Sequence, residues 1–399
     1  MKTNAFDLFV EINDKNFIFV VGSYDEIHNL KIIEKKIVEN DFFNKKFNAD
    51  LPNTQRLLKN TIQNLEERLD CIFKEVVIIL ENFDFSCINI SGFKKLNGSQ
   101  VLRENISYIL NSLKLAITET EKEEVIIHIF NSQSLLDRTS YENLPIGLYG
   151  NFFQHELSFF LMNNEELKKI KTVFGKNNLK IKKILIKDYI EGVKLIEKKK
   201  NGGTFFLIKF NKDNINLTYF EKSSFKYTQN FNFGTNLILN DIEKVCGISR
   251  SMIEKILHDR YFEKKDFEEN EFLEVEYFRN EKFKEIKKHL IVDVSVARIE
   301  EFLNLIYNNN KNLELYKKEN NLIYFLIEDQ NIKNNFDSNF NYYFSKKIPS
   351  HSSLINSFDL DTLFIKAANI SIFGWKKEAI PIIHTKKSFI TRIFKSIFG

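Results

Sequence analysis

Alternating and β-branched runs dominate the start of the chain. Phe6–Val21 (FDLFVEINDKNFIFVV) predicts two strands joined by a turn at Asn13-Asp14-Lys15-Asn16. Leu57, Leu58, Thr61, Ile62, Leu65, Leu69 and Ile72 then recur at helical spacing, and Val76–Leu80 reads as a buried strand. Strand, strand, helix, strand is the opening of an α/β domain. From about Gly92 to Ile186 the pattern predicts a separate α+β unit. Its elements are a helix over Val101–Lys114, a strand over Val125–Phe130, a turn-rich loop from Asn143 to Gly150, a strand over Phe153–Met162, a helix over Glu165–Phe174 and a strand over Ile181–Ile186. The opening pattern then repeats. Thr204–Phe210, Asn214–Phe220 and Ser224–Phe231 read as strands, and Gly234 opens a loop into a helix over Asn240–Val245. Further on, Phe283–His289 and Val294–Tyr307 read as helices and Leu322–Ile327 as a strand. Leu360–Ile372 reads as a helix closed by Gly374.

The last fourteen residues, KKSFITRIFKSIFG, carry a different signal. Phe389, Ile390, Ile393, Phe394, Ile397 and Phe398 fall on one half of a helical wheel. Thr391, Arg392, Lys395 and Ser396 fill the other half, behind Lys386 and Lys387, with no acidic residue. Such a helix can pack on a core or bind a partner protein. Phe and Ile opposite Arg and Lys, after a polar stretch, favour an interfacial membrane anchor. The segment is too short to span a bilayer. One such helix binds reversibly, so lasting attachment calls for several copies acting together.

Composition changes this picture little. The chain has 399 residues, room for two or three domains, and is 43% hydrophobic and 28% charged, ordinary for a protein that buries a core. A net charge of +4, with Lys and Glu intermixed, gives no case for nucleic acid. Cys71, Cys87 and Cys246 lack metal or redox spacing. With no signal-peptide pattern and no apolar run of about 18 residues, the expectation is a cytoplasmic protein with a membrane-touching tail. His128, His155, His258, His289, His351 and His384 show no ligand spacing, so no metal site is expected. Ser107, Ser158 and Ser251 lack a nucleophile-elbow context.

Two halves that each begin with a hairpin point to an actin-like duplication of the ribonuclease H-like fold, in which two hairpin turns clamp a nucleotide's phosphates. In order and local pattern the chain resembles the bacterial cell-division protein FtsA over nearly its whole length. Pro145-Ile146-Gly147-Leu148-Tyr149-Gly150 is similar to the P-V-G-L-x-G loop of that family's inserted SHS2 (1C) domain. Gly234 with Asn240-Asp241-Ile242 is similar to its G-G-x-x-I-T-x-D-I helix start, Val294–Ile306 to a helix near the tip of subdomain 2B, and the terminal helix to its membrane anchor. The resemblance implies subdomain 1A over 1–92 with 187–200 and 358–376, and an SHS2/1C insert over 93–186. It implies a second half over 201–357, with 2B at about 246–320, then a linker over 377–385 and a membrane helix over 386–399. It also implies an FtsZ-tethering adaptor at the cytoplasmic face of the inner membrane, at the division site. Self-association, contacts of other divisome proteins with the insert, and docking of the FtsZ C-terminal peptide near Arg298 and Glu301 go with it.

The departures concern the nucleotide. The family's D/E-I-G-T-x-K loop is matched by Glu11-Ile12-Asn13-Asp14-Lys15-Asn16, without the glycine. Its D-I-G-G-G-T-x-D loop is matched by Lys209-Phe210-Asn211-Lys212-Asp213-Asn214-Ile215-Asn216, with no glycine at all. Its adenosine-loop glycines fall at Glu328-Asp329-Gln330. Glycine lets backbone N–H groups approach phosphate. Here side chains and the acids Asp213, Glu328 and Asp329 crowd that position, and Lys209 replaces an acidic metal-site residue. ATP and Mg²⁺ follow from the resemblance alone. The favoured expectation is weak or no ATP binding and no enzymatic activity. The alternative has Lys15 or Lys212 reaching a phosphate. Competing functions are a pilus or secretion assembly protein of the PilM type, which lacks a terminal anchor, and an actin-fold ATP-binding protein.

Overall fold

The computed structural model describes residues 6–26, 29–39, 51–198, 203–259, 262, 271–279, 282–318, 321–346 and 351–379. The terminal helix expected over 386–399 lies outside the described residues. The chain forms two compact units. One comprises Met1–Phe85 and Glu165–Gly374, the other Ser86–Asn164 with the chain from Trp375 onward.

The larger unit begins with an antiparallel meander, β1 (Asp7–Ile12), β2 (Asn16–Tyr24) and β3 (Leu30–Glu39). β1 and β2 are buried along almost their whole length. β3 is an edge strand that alternates, with Lys31, Lys35 and Glu39 exposed alongside Ile33 and Ile37. Helix α1 (Leu51–Leu69) leads to β4 (Glu75–Leu80), which runs parallel to β1.

The smaller unit interrupts the chain here. It contains β5 (Ser86–Lys95), α2 (Arg103–Thr120), β6 (Glu124–Leu136), β7 (Thr139–Tyr141) and β8 (Phe152–Asn163), with sheet order β5-β8-β6-β7. Leu110 and Ile117 of α2 pack on Leu157, Phe159 and Leu161 of β8.

The larger unit then resumes with α3 (Asn164–Gly175), β9 (Lys180–Ile186) and α4 (Lys187–Lys198). β9 pairs in parallel with β4 and completes the sheet β3-β2-β1-β4-β9. A second sheet repeats that wiring. β10 (Phe205–Phe210), β11 (Ile215–Glu221) and β12 (Ser224–Phe231) form the meander. Helices α5 (Asn236–Cys246), α6 (Arg250–His258) and α7 (Lys288–Leu303) follow. Then come β13 (Leu322–Ile327), α8 (Gln330–Lys346), β14 (His351–Leu354) and α9 (Leu360–Phe373), in sheet order β12-β11-β10-β13-β14. Much of the chain's phenylalanine fills this half. Phe210 lies 4.9 Å from Phe340 and 5.7 Å from Phe344, both edge-on.

Four expectations change. The smaller unit starts at Ser86 and ends at Asn164, so the boundary at 93–186 shifts. The strand expected at Ile181–Ile186 is hydrogen-bonded to β4 and belongs to the first sheet. The helix expected over Phe283–His289 is absent as far as Lys287. Lys287 bridges Phe272 and Leu273 N–H donates to Ile286 O at 2.9 Å, so α7 starts only at Lys288. The first residues of the linker expected over 377–385 are paired. Asn131 N–H donates to Lys377 O at 2.6 Å, and Ala379 N–H donates to Ile129 O at 2.8 Å, so 377–379 is an added edge on β6.

The close approach of α4 to the second sheet depends on Gly192. A Cβ there would stand 2.1 Å from the Phe220 ring on β11. Gly192→Ala is expected to cost about 1–3 kcal/mol by overpacking, read as a lower urea midpoint. Adding Phe220→Leu should recover part of that loss.

Candidate functional site

Each half presents its hairpin turn to one cleft, and side chains hydrogen-bond within both turns. In the β1–β2 turn the Asn13 side-chain oxygen accepts from Lys15 N–H at 3.1 Å and from Asn16 N–H at 2.8 Å. These are the donors that a phosphate-binding turn leaves free. In the β10–β11 turn Asn211 Nδ2 donates to Asn214 Oδ1 at 2.6 Å and to Asn216 Oδ1 at 3.1 Å. The entry to α5 is used as well. Thr235 and Asn236 N–H groups donate to Asn211 O and Lys212 O, each at 2.9 Å. A Cβ on Gly234 would sit 2.4 Å from Asn211 O, so only glycine allows that contact. At the third loop Asp329 Oδ1 accepts from Asn331 N–H at 2.9 Å and Ile332 N–H at 3.2 Å, an internal carboxylate at the N-terminus of α8. Glu328 stands exposed at the rim, followed by the exposed Gln330.

The loops also touch one another across the cleft, which encloses about 380 Å³. Lys15 Nζ lies 3.1 Å from Asp213 Oδ2. Asp14 Oδ2 accepts from Asn82 Nδ2 and Asn214 Nδ2, both at 3.2 Å. Asn236 Nδ2 donates to Asp213 Oδ1 at 2.7 Å, and Lys212 Nζ lies 3.7 Å from Asp329 Oδ2. The Lys15–Asp213 pair is exposed and contributes little by itself. These residues do not fit a nucleoside triphosphate. The amides of Lys15 and Asn16 are taken, the turn tips are bridged, and Asp14, Asp213 and Asp329 put negative charge on the cleft wall.

Beneath the turns lies a charge cluster that was not legible as a unit in the sequence. Lys187 Nζ is 3.0 Å from Glu11 Oε1 and 2.8 Å from Glu81 Oε1. Lys209 Nζ is 2.6 Å from Asp188 Oδ1 and 2.7 Å from Glu191 Oε2. Ordered acids are present here, and two lysines stand among them. Burial pushes Glu11 up to about 7, against the pull of Lys187. Burial also opposes ionisation of Glu81, yet Lys187 and Lys209 outweigh it and hold that carboxyl below its ordinary value. Burial disfavours both ammonium groups, and the surrounding carboxylates overcome it and raise both. The available signal was a charge inside an apolar run: Glu11 in LFVEI, Lys209 in FFLIKF, and Asp188 and Glu191 on a buried helix.

The other expected positions lie elsewhere. Arg298 Nε donates to Asp241 Oδ2 at 2.5 Å and its Nη1 to Glu301 Oε2 at 2.6 Å. An acidic peptide would have to displace these partners. His155 is buried between Ser134 and Asn131, and burial pushes it down to about 4, a neutral packing role. Among the described residues no cluster of three or more His, Cys, Asp or Glu is placed to hold a metal ion. Among them, too, no helix is long and apolar enough to cross a membrane.

No protein-family model matches the chain. It is 20% identical over 312 residues to cell division protein FtsA of Buchnera aphidicola, covering 77% of this chain and 74% of that one. The PilM-PilN type IV pilus biogenesis complex superposes with a TM-score of 0.51 at 10% identity, over 94% of this chain and 99% of that one. MreB5 of Spiroplasma citri bound to ADP gives 0.43 at 11% identity, over 91% and 95%. The fold is α/β and actin-like, and the chain has weak homology to FtsA.

Glu11 sets a pH dependence. Its folded pKa lies above the ordinary 4.5, at about 7. Between those values the folded state holds a proton that the unfolded state has released, so stability falls as pH rises through the window. Glu11→Gln should flatten that fall between about pH 4.5 and 7 in urea titrations. An unchanged slope would assign the dependence to other groups.

Proposed function

We propose that the protein is a non-catalytic, actin-fold adaptor that ties a cell-division filament to the cytoplasmic face of the membrane. The observation that carries this reading is the Phe/Ile and Lys/Arg helix pattern of 386–399, on a chain with an FtsA relative. FtsZ, through its C-terminal peptide, is the filament partner. Several copies side by side supply the avidity that one short helix lacks. The divisome partners meet the smaller unit.

The root of the tail supports a mechanical role. Residues 377–379 extend the β6 edge, Lys377 Nζ donates to Glu142 O at 2.7 Å, and Glu378 Oε1 lies 3.4 Å from His128 Nδ1. Seven Cα steps separate Ala379 from Lys386, a reach of at most about 25 Å. A bound terminal helix therefore keeps the smaller unit close to the lipid. A pilus-type assembly protein is the second reading. The superposition with the PilM complex supports it at the level of fold, and the amphipathic tail argues against it.

Co-sedimentation with anionic vesicles tests the tether. The intact chain should pellet and carry purified FtsZ with it. Phe394→Glu with Ile397→Glu should lower partitioning by about 100-fold or more while leaving the melting curve unchanged. An unchanged bound fraction would remove the anchor.

A further inference from the structure

The joint between β10 and α4 is made by buried charge. Lys209, 2% exposed on the second sheet, reaches across to Asp188 and Glu191 on α4, at 2.6 and 2.7 Å. The second oxygen of Asp188 accepts from Thr228 Oγ1 at 3.1 Å. Lys187 holds Glu11 and Glu81 just beside it. Four carboxylates thus surround two ammonium groups, away from bulk water. Buried carboxylates need a cation, and removing one partner of such a group is strongly destabilising. If that cation were a free ion, the joint would tighten and loosen with its concentration. Here it is part of the chain.

We propose that Lys209 is a built-in cation that keeps the two halves of the larger unit joined without any dissociable ligand. The pocket formed by Asp188, Glu191 and Thr228 is then a primary-ammonium site, and it accepts a free alkylammonium ion when the lysine side chain is cut back. Gly192 matters to the same site, because it lets α4 approach β11 closely enough for Glu191 to reach Lys209. Two consequences follow from a cation that cannot leave. Magnesium or Mg·ATP does not change the stability of the unaltered protein. The loss caused by shortening Lys209 is a loss of charge as well as of packing.

Thermal unfolding reads both consequences. Lys209→Ala should lower the midpoint by about 5 °C or more. Propylammonium chloride, which restores the missing carbons and the charge, should recover much of it. Sodium chloride at equal ionic strength and 1-propanol should not. Lys209→Met fills the space without charge and should show no propylammonium effect. If Lys209→Ala is not obtained folded, refolding it in propylammonium chloride replaces the scan. Recovery there but not in sodium chloride supports the proposal, and failure in both overturns it. Equal recovery by 1-propanol overturns it, since only volume would then matter. A midpoint of the unaltered protein that rises with MgCl₂ or Mg·ATP also overturns it.

Discussion

A buried carboxylate must be neutralised, and the larger unit is built around four of them. Glu11 comes from β1, Glu81 from the end of β4, and Asp188 and Glu191 from α4. Desolvation of each charge is costly, so their position fixes where cations must be. Lys187 meets the pair from the first sheet, and Lys209 meets the pair on the helix. The arrangement has consequences in both directions. Below it, α4 is held against the second sheet, where Gly192 leaves no room for a side chain. Above it, the strand ends that carry the two hairpin turns are brought into register, so the turns meet across a small cleft.

The turns themselves add little energy but decide what the cleft can receive. A phosphate site is a set of backbone donors with nothing in front of them. In this protein the Asn13 side chain takes the amides of one turn, and the carbonyls of Asn211 and Lys212 take the first amides of α5. Asp329 takes those of α8. Side chains of Asn13 and Asp329 stand in for an external anion at two points, and main-chain carbonyls do so at the third. At positions 13 and 329, where the resemblance expects glycine, the side chain that replaces it does the hydrogen bonding. At the tail, residues 377–379 are stitched to β6 by backbone hydrogen bonds.

How much of this was legible follows from what each signal encodes. The duplicated hairpins and the strands Leu322–Ile327 and Val76–Leu80 were readable because apolar runs bounded by turn residues are local. So was the helix ending at Gly374, which adopts a positive φ of 71° at the cap. The strand β3 was missed because its alternation is half lysine and glutamate, a pattern shared with an exposed helix. Phe283–His289 misled because apolar spacing over seven residues cannot separate a helix from an extended segment that pairs with Phe272 and Leu273. The unit boundary was misplaced because β9 joins β4 across nearly a hundred intervening residues. The charge cluster was hardest. Its six members come from four separate stretches of sequence, and their burial distinguishes them from surface charges.

If the cleft is closed by its own side chains, added nucleotide leaves both turns unchanged. Hydrogen exchange at the two turns tests this most directly. The amides of Lys15, Asn16, Thr235 and Asn236 should exchange at the same rates with and without Mg·ATP, because their acceptors are already inside the protein. Slower exchange at these amides when Mg·ATP is added would show that phosphate displaces those acceptors, and would contradict the account.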